Sequence, residues 1–208
     1  ERFPSDSPED NVYTRAARHL EGWIGSGVLQ QEPEAAFFAY FQEFSVPDTG
    51  ERLVRKGFIG LGAVEDYSAG IVHRHEQTLS GPKVDRLELL RHIRAHFGQL
   101  FMLYPDPAGE VDQVLDEAAG APPIAAVTDE YGAEHQVWRI TEPVLVASIQ
   151  HAMASKKLII ADGHHRYETA LAFRNEHPEL EDARRVMMTF VNMDSPGLRI
   201  LATHRLVD

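Results

Sequence analysis

The sequence predicts an α+β fold, with a mixed sheet that contains hairpins and is flanked by helices. Two pairs of apolar runs are each separated by a short turn sequence, which indicates β-hairpins. Other segments carry apolar residues at three- and four-residue spacing, as amphipathic helices do. Hairpins and helices are interspersed without a regular strand–helix–strand repeat, which favours a mixed sheet over a parallel one. The 208 residues, 43% of them hydrophobic, suffice for one large core or two small ones.

The first quarter of the chain predicts one helix and one hairpin. Asn11 is a helix-capping residue, and apolar positions then recur at helical spacing through residues 12–24. The aromatic run 36–44 and the apolar run 52–61 are predicted strands. Because Pro47-Asp48-Thr49-Gly50 has the composition of a turn, we expect these two strands to pair as a hairpin.

The remainder alternates between short strands and short helices. We predict strands at 71–75, 100–104, 124–128, 135–140, 157–161, 186–192 and 199–206, and helices at 84–95, 111–118, 143–154 and 165–176. Strands 124–128 and 135–140 form a second predicted hairpin around Tyr131-Gly132. We divide the chain into an N-terminal helix and hairpin region, 1–68, and a core, 69–208.

Composition excludes several classes of function. The 32 acidic and 20 basic residues give a formal net charge of −12, which argues against broad binding to nucleic acids or anionic membranes. There is no cysteine, so disulfides and thiol nucleophiles are excluded. The sequence has no apolar run of membrane-spanning length. We therefore expect a cytoplasmic protein whose partners are small molecules; the oligomeric state is open.

Polar and titratable side chains follow the predicted strand 157–161 directly, in the sequence Asp162-Gly163-His164-His165-Arg166. A helix start exposes N–H groups and the positive end of the helix dipole, and therefore favours an anion. Arg166 could grip a phosphate with two donors, and Gly163 permits a positive φ or a close ligand approach. Asp162, His164 and His165 could instead bind metal or transfer protons. The alternative without a function is an ordinary helix start with exposed histidines.

A second polar segment, 73–78, precedes the next predicted helix. In a strand, His73 and His75 share a face, and Glu76 follows at the strand end, where a catalytic carboxylate is often placed. These histidines could also form a metal site with those of the 162–166 turn, although no HExxH motif or similar ligand spacing is present. A solvated edge strand is the other interpretation.

A third segment could hold phosphate oxygens. Thr78, Lys83 and Arg86 surround Ser80-Gly81-Pro82 at the start of a predicted helix, but the spacing is not that of a Walker loop. An ordinary helix entry explains the segment equally well. Thr203-His204-Arg205 is a weaker version of the same pattern. Neither a GxSxG elbow nor a Rossmann GxGxxG between a strand and a helix is present.

Several of these blocks together resemble the bacterial and archaeal family called domain of unknown function 1015. They are His75-Glu76, Gly81-Pro82-Lys83 with Asp85-Arg86, Ile160 to Ala170, and Ser195-Pro196-Gly197-Leu198 to Thr203-His204-Arg205. The resemblance covers most of the chain. Family members are longer at both ends, so it implies an internal fragment.

The order of these elements is also similar, more distantly, to the ParB/sulfiredoxin superfamily. That similarity implies a ParB/sulfiredoxin-like core in 69–208. The ADP-dependent free-serine kinases of that superfamily carry the same Asp-Gly-His-His-Arg string and an upstream glutamate that serves as base. By this resemblance, residues 163–166 hold nucleotide phosphates, Asp162 assists Mg²⁺ or the substrate, and Glu76 is the base. The sulfiredoxin cysteine is absent here, which excludes that thiol chemistry.

We therefore expect a nucleotide-binding protein that uses ADP or ATP with Mg²⁺. Phosphoryl transfer to a small hydroxyl substrate, such as a free amino acid, is the reaction that this binding would allow. The catalytic candidates are Glu76, Asp162 and His165. The phosphate-binding candidates are Gly163, His164, Arg166, Lys83, Thr78 and Arg86. Two alternatives stay open: a non-catalytic nucleotide or anion sensor, and a metal-dependent hydrolase that uses the histidine clusters.

Overall fold

The computed structural model describes residues 2–47, 49–76 and 81–199, without the side chains of residues 81 and 82. Within these ranges the fold is α+β, with a mixed eight-stranded sheet and five α-helices. The predicted α+β class and the predicted mixed sheet are therefore confirmed. No helix in the described part of the chain has the length and apolar character that a membrane span requires.

The helices are α1 (Val12–Gly25), α2 (Gly81–Ile93), α3 (Glu110–Ala118), α4 (Pro143–Met153) and α5 (His164–Glu176). The strands are β1 (Phe37–Ser45), β2 (Arg52–Ala63), β3 (Val72–His73), β4 (Leu100–Tyr104), β5 (Ala125–Thr128), β6 (Glu134–Ile140), β7 (Leu158–Asp162) and β8 (Arg185–Asn192). Two short 3₁₀ helices cover Tyr67–Ala69 and Glu181–Arg184.

The strands are ordered β3-β7-β4-β8-β2-β1-β6-β5 in the sheet. Both predicted hairpins are confirmed, since β1 pairs antiparallel with β2 and β5 pairs antiparallel with β6. β3 and β7 are parallel, although they are far apart in sequence. This parallel pair places the polar residues 73–76, at the end of β3, beside the polar segment 162–166, at the end of β7.

One predicted strand is substantially wrong. Residues 71–75 were expected to be extended, but β3 ends at His73, so His75 and Glu76 lie in a bend after the strand. The shared strand face predicted for His73 and His75 therefore does not exist. The predicted strand 199–206 lies outside the described residues, apart from Arg199.

The chain falls into two compact units, each made of three segments. Unit 1 comprises residues 1–35, 60–102 and 157–189, and unit 2 comprises 36–59, 103–156 and 190–208. The largest fully buried side chains of unit 1 are Val72, Leu100, Met102, Ile160, Tyr167 and Met188, and those of unit 2 are Phe58, Tyr104, Val111, Leu115, Ile140 and Ile149. The division into 1–68 and 69–208 stays a prediction.

Local sequence explains how unit 1 builds its helices. The side chain of Asn11 accepts hydrogen bonds from the first-turn N–H groups of α1, as the sequence predicted. Thr14 completes a capping box, which the sequence analysis did not predict. α2 packs against both α1 and α5. This packing sets α5 beside the helix that carries Lys83 and Arg86.

Candidate functional site

The parallel pairing of β3 with β7 brings two of the polar segments together. Val72 lies opposite Leu158, and His73 lies opposite Ile159. Parallel strands end at the same edge of a sheet, and ligand sites are commonly found outside those carboxyl ends. The residues after β3 therefore emerge beside the turn that follows β7.

Glu76 contacts the first residue of α5. Its Oε1 lies 3.0 Å from Nδ1 of His164, a hydrogen-bonding distance. The Glu76 side chain is 55% exposed, whereas that of His164 is 2% exposed. Burial lowers the pKa of the His164 imidazole below its ordinary value of 6.5, and the Glu76 carboxylate opposes this shift. The candidate base and the candidate phosphate-binding turn are thus direct neighbours.

His75 completes a cluster with these two residues. Its ring meets that of His164 edge to face, with 4.5 Å between the centroids. One ligand atom from each of His75, Glu76 and His164 lies within 4.8 Å of the others, which is compact enough for a metal ion to draw them together. His73 and His165 are not members of this cluster. Of the predicted pairs His73/His75 and His164/His165, only His75 and His164 belong to it.

Arg166 lies back over the turn that precedes its own helix. Its Nη2 donates to Oδ2 of Asp162 at 2.6 Å, while its Nε is buried and has no hydrogen-bond partner among the described residues. A Cβ on Gly163 would lie 3.0 Å from Nε and Nη2, and one on Gly98 would lie 2.9 Å from the Arg166 Cδ. The two glycines therefore leave room for the guanidinium stem. Asp162 is 74% exposed and pairs with Arg166.

The start of α5 leaves backbone donors unused by the helix. Gly163 has φ +99, a conformation that L side chains rarely adopt, and it has no side chain with which to cap the helix. The first backbone hydrogen bond runs from the Tyr167 N–H to the Gly163 carbonyl, at 2.9 Å. The N–H groups of residues 164–166 therefore have no acceptor within the helix. His164 Nε2 and His165 Nδ1 are also buried, and neither has a hydrogen-bond partner within residues 2–47, 49–76 and 81–199.

A cavity of about 170 Å³ lies beside Arg166. Arg86 also lines it, so two of the predicted phosphate-binding side chains reach the same space. The other lining residues are Leu89, Leu90, Ile93, Ala95, His96, Phe97, Gly98 and Thr169. Pockets that enclose a whole small molecule usually exceed about 300 Å³, so this cavity is large enough for only part of a nucleotide.

Lys83 lies in the same unit but is engaged in an ion pair with Glu168 on α5. Glu168 also accepts a hydrogen bond from Nη1 of Arg74, at 3.2 Å, and its side chain is only 10% exposed. Lys83 is thus tied to α5 and not directed freely at a ligand. Thr78 and Thr203-His204-Arg205 lie outside the described residues.

Sequence reasoning missed two side chains that hold the site in place. Tyr167 is fully buried, and its hydroxyl accepts from the Glu65 N–H and donates to the Glu65 carbonyl, both at 2.8 Å. Glu168 links α5 to Arg74 and Lys83. Tyr167 and Glu168 directly follow Arg166 in the sequence, but their partners lie on other elements. The local sequence therefore carries no signal for these contacts.

Comparison with known proteins identifies the family. Searches of curated proteins and of solved structures gave no match. The family model described as "Protein of unknown function (DUF1015)" matches residues 1–208, the whole chain. The resemblance carried by the 160–170 block and its companions is therefore confirmed at the level of the family. This chain belongs to the DUF1015 family.

Proposed function

We propose that this protein binds the phosphates of ADP or ATP at the Asp162–Arg166 turn and transfers a phosphoryl group to a small hydroxyl substrate such as a free amino acid. The observation that carries the proposal is the 3.0 Å contact between Glu76 and His164. It sets a solvent-exposed carboxylate next to an anion-favouring helix start. Phosphoryl transfer needs neutralisation of phosphate charge and a group that accepts the nucleophile's proton, and these two features are suited to those tasks.

Phosphate binding is supported by the donors at the turn. The N–H groups of residues 164–166 and the dipole of α5 favour negative charge. Only Nη2 of Arg166 is hydrogen-bonded to Asp162, and a guanidinium has five N–H donors. Arg166 could therefore keep its contact with Asp162 while it donates to a phosphate. Arg86 adds a second positive charge at the same cavity.

The transfer step assigns a role to Glu76. The substrate hydroxyl oxygen attacks the terminal phosphorus, and the bond from that phosphorus to the bridging oxygen of the nucleotide breaks. The hydroxyl proton passes to the Glu76 carboxylate, which is exposed enough to meet a substrate. The products are a phosphorylated substrate and AMP from ADP, or ADP from ATP. Mg²⁺ would neutralise the phosphate oxygens, and Asp162 would be its carboxylate ligand.

The ParB/sulfiredoxin-like core and the likeness to free-serine kinases belong to this proposal. The shared Asp-Gly-His-His-Arg string supports it, and so does the nearness of an upstream glutamate. The hydrolase alternative needs a bound metal, for which a separate test is given below. The sensor alternative needs the same binding site without turnover.

Nucleotide binding is measured by calorimetry and thermal shift with Mg²⁺ and millimolar ADP or ATP. Arg166→Ala removes charge-assisted hydrogen bonds worth about 1.5–3 kcal/mol, so we expect about tenfold to 150-fold weaker binding. Arg52→Ala, an exposed arginine of unit 2, is the matched control and should bind as the wild type does. Wild-type protein that gives neither heat nor a thermal shift would overturn the proposal.

Glu76→Gln separates catalysis from binding. It keeps the shape of the side chain but removes the proton acceptor, and general-base catalysis is commonly worth about 10²–10⁴ in rate. We expect nucleotide affinity to be retained and phosphorylation of free hydroxy amino acids, followed with labelled nucleotide, to fall by that factor. A wild type that binds nucleotide but phosphorylates no hydroxyl substrate would identify a sensor instead.

A further inference from the structure

We propose that His75, Glu76 and His164 form a binding site for a divalent transition-metal ion of the Zn²⁺ class. This inference does not rest on the proposed nucleotide site. It rests on the compact arrangement of two imidazoles and one carboxylate after the paired strands β3 and β7. Neither histidine cluster has metal-ligand spacing in the sequence, so only the tertiary structure assembles the set.

The geometry needs little adjustment to accept an ion. Two ligands of a tetrahedral zinc, each about 2.1 Å from the metal, are about 3.4 Å apart. Glu76 Oε1 and His164 Nδ1 are already 3.0 Å apart, and the three ligand atoms lie within 4.8 Å of one another. Glu76 and His75 are both exposed, so their side chains can move by the required distance. His164, which is buried, supplies the fixed point.

The donor set selects the class of metal. Mg²⁺ and Ca²⁺ prefer oxygen ligands alone, whereas imidazole nitrogens suit Zn²⁺, Co²⁺ and related ions. Two histidines and one glutamate are also the ligand set of several catalytic zinc sites, which leave a coordination position open for water or substrate. Here His75 and Glu76 are both exposed in the part of the chain that the structure describes. The site is thus suited to a catalytic or regulatory ion.

The charges around the cluster favour an anionic group as the further ligand. A divalent ion on one carboxylate and two neutral imidazoles carries a net charge of +1. The start of α5 adds positive potential on the same turn, whereas Asp162 offsets the charge of the Arg166 guanidinium by pairing with it. A phosphate or carboxylate oxygen would therefore complete the coordination. Because Glu76 would then be a ligand and no longer a free base, the two proposals assign different roles to Glu76.

The test is a metal titration of chelator-treated protein in the absence of nucleotide. Zn²⁺ binding is followed by calorimetry, and Co²⁺ binding by the visible absorption that strengthens when the ion leaves octahedral water. We expect one equivalent to bind to the wild type. His75→Ala removes one of the three ligands, and Glu76→Gln replaces the anionic ligand with a neutral amide oxygen. Each should lower the affinity by about tenfold or more, because changes to outer-shell partners alone commonly cost about 10–100-fold.

His73→Ala is the matched control, since His73 is exposed, lies two residues from His75 and is outside the cluster. It should bind metal as the wild type does. Circular dichroism shows whether each variant is folded. A wild type that binds neither ion, or His75→Ala protein that binds like the wild type, would overturn the site. Equal losses in His73→Ala and His75→Ala would do so too, by revealing non-specific binding to surface histidines.

The same variants keep the two proposals distinguishable. His75→Ala removes a metal ligand but leaves Glu76 and Arg166 intact. If Glu76 acts as a free base, phosphoryl transfer survives this change while metal binding is lost. If the metal takes part in the reaction, both are lost together, and nucleotide affinity measured with Mg²⁺ is unaffected in either case.

Discussion

The substitution Gly163→Ala tests how the candidate site is built. Gly163 has φ +99, where an L residue is disfavoured by about 1–2 kcal/mol. An added Cβ would also lie 2.9 Å from Cδ2 of Leu100 and 3.0 Å from Nε and Nη2 of Arg166. Crowding of this kind adds about 1–3 kcal/mol. We therefore expect the free energy of unfolding to fall by about 3 kcal/mol.

Gly70→Ala is the matched control in the same unit. Gly70 also has positive φ, +66, but a Cβ there would meet nothing within 4 Å. Gly70→Ala should therefore lower the free energy of unfolding only by the cost of the left-handed backbone conformation, about 1–2 kcal/mol. The difference between the two variants isolates the crowding at Arg166 and Leu100. Urea unfolding gives the free energies, and a 3 kcal/mol loss corresponds to a Tm lower by about 6–12 °C.

A double variant assigns the crowding to its source. If the Arg166 side chain lies over Gly163 as described, adding Arg166→Ala to Gly163→Ala should recover part of the loss, giving a coupling energy above about 0.5 kcal/mol. Equal destabilisation by Gly163→Ala and Gly70→Ala, together with no coupling to Arg166, would refute this account of the turn. The account of how Arg166 is presented to a phosphate would be refuted with it.

Two further predictions concern the surroundings of the site. Tyr167→Phe leaves the Glu65 N–H and carbonyl without their partner and should destabilise the fold by about 2–3 kcal/mol in urea unfolding. The Tyr67 hydroxyl is buried and has no hydrogen-bond partner in the described part of the chain, so Tyr67→Phe should change the free energy of unfolding little. A loss as large as that of Tyr167→Phe would contradict the reasoning. Burial lowers the pKa of His96 below 6.5, so the unfolded chain binds a proton more readily, and the free energy of unfolding should fall as the pH drops through about 6.5. His96→Gln should flatten that pH dependence in denaturant titrations, and an unchanged slope would exclude His96 as its source.

The sequence alone determined the local structure of the chain. The two hairpins, the capped start of α1 and β4 at its observed bounds were all predicted from periodicity, turn residues and capping residues. These signals act over a few residues, so a single sequence is enough to show them. The family could also be recognised from the sequence, because Asp162–Arg166 and the other motifs that carry the resemblance are each contiguous.

Only the tertiary structure decided how the site is assembled. Glu76 and His164 are 88 positions apart (76 to 164), and their contact depends on the parallel pairing of β3 with β7. His75 was expected on the same strand face as His73, but the strand ends first and the bend carries His75 to His164. The pairing of Lys83 with Glu168 and the cavity shared by Arg86 and Arg166 depend likewise on α2 packing against α5. Strand register and helix packing are set by burial of the whole core, which no local pattern specifies.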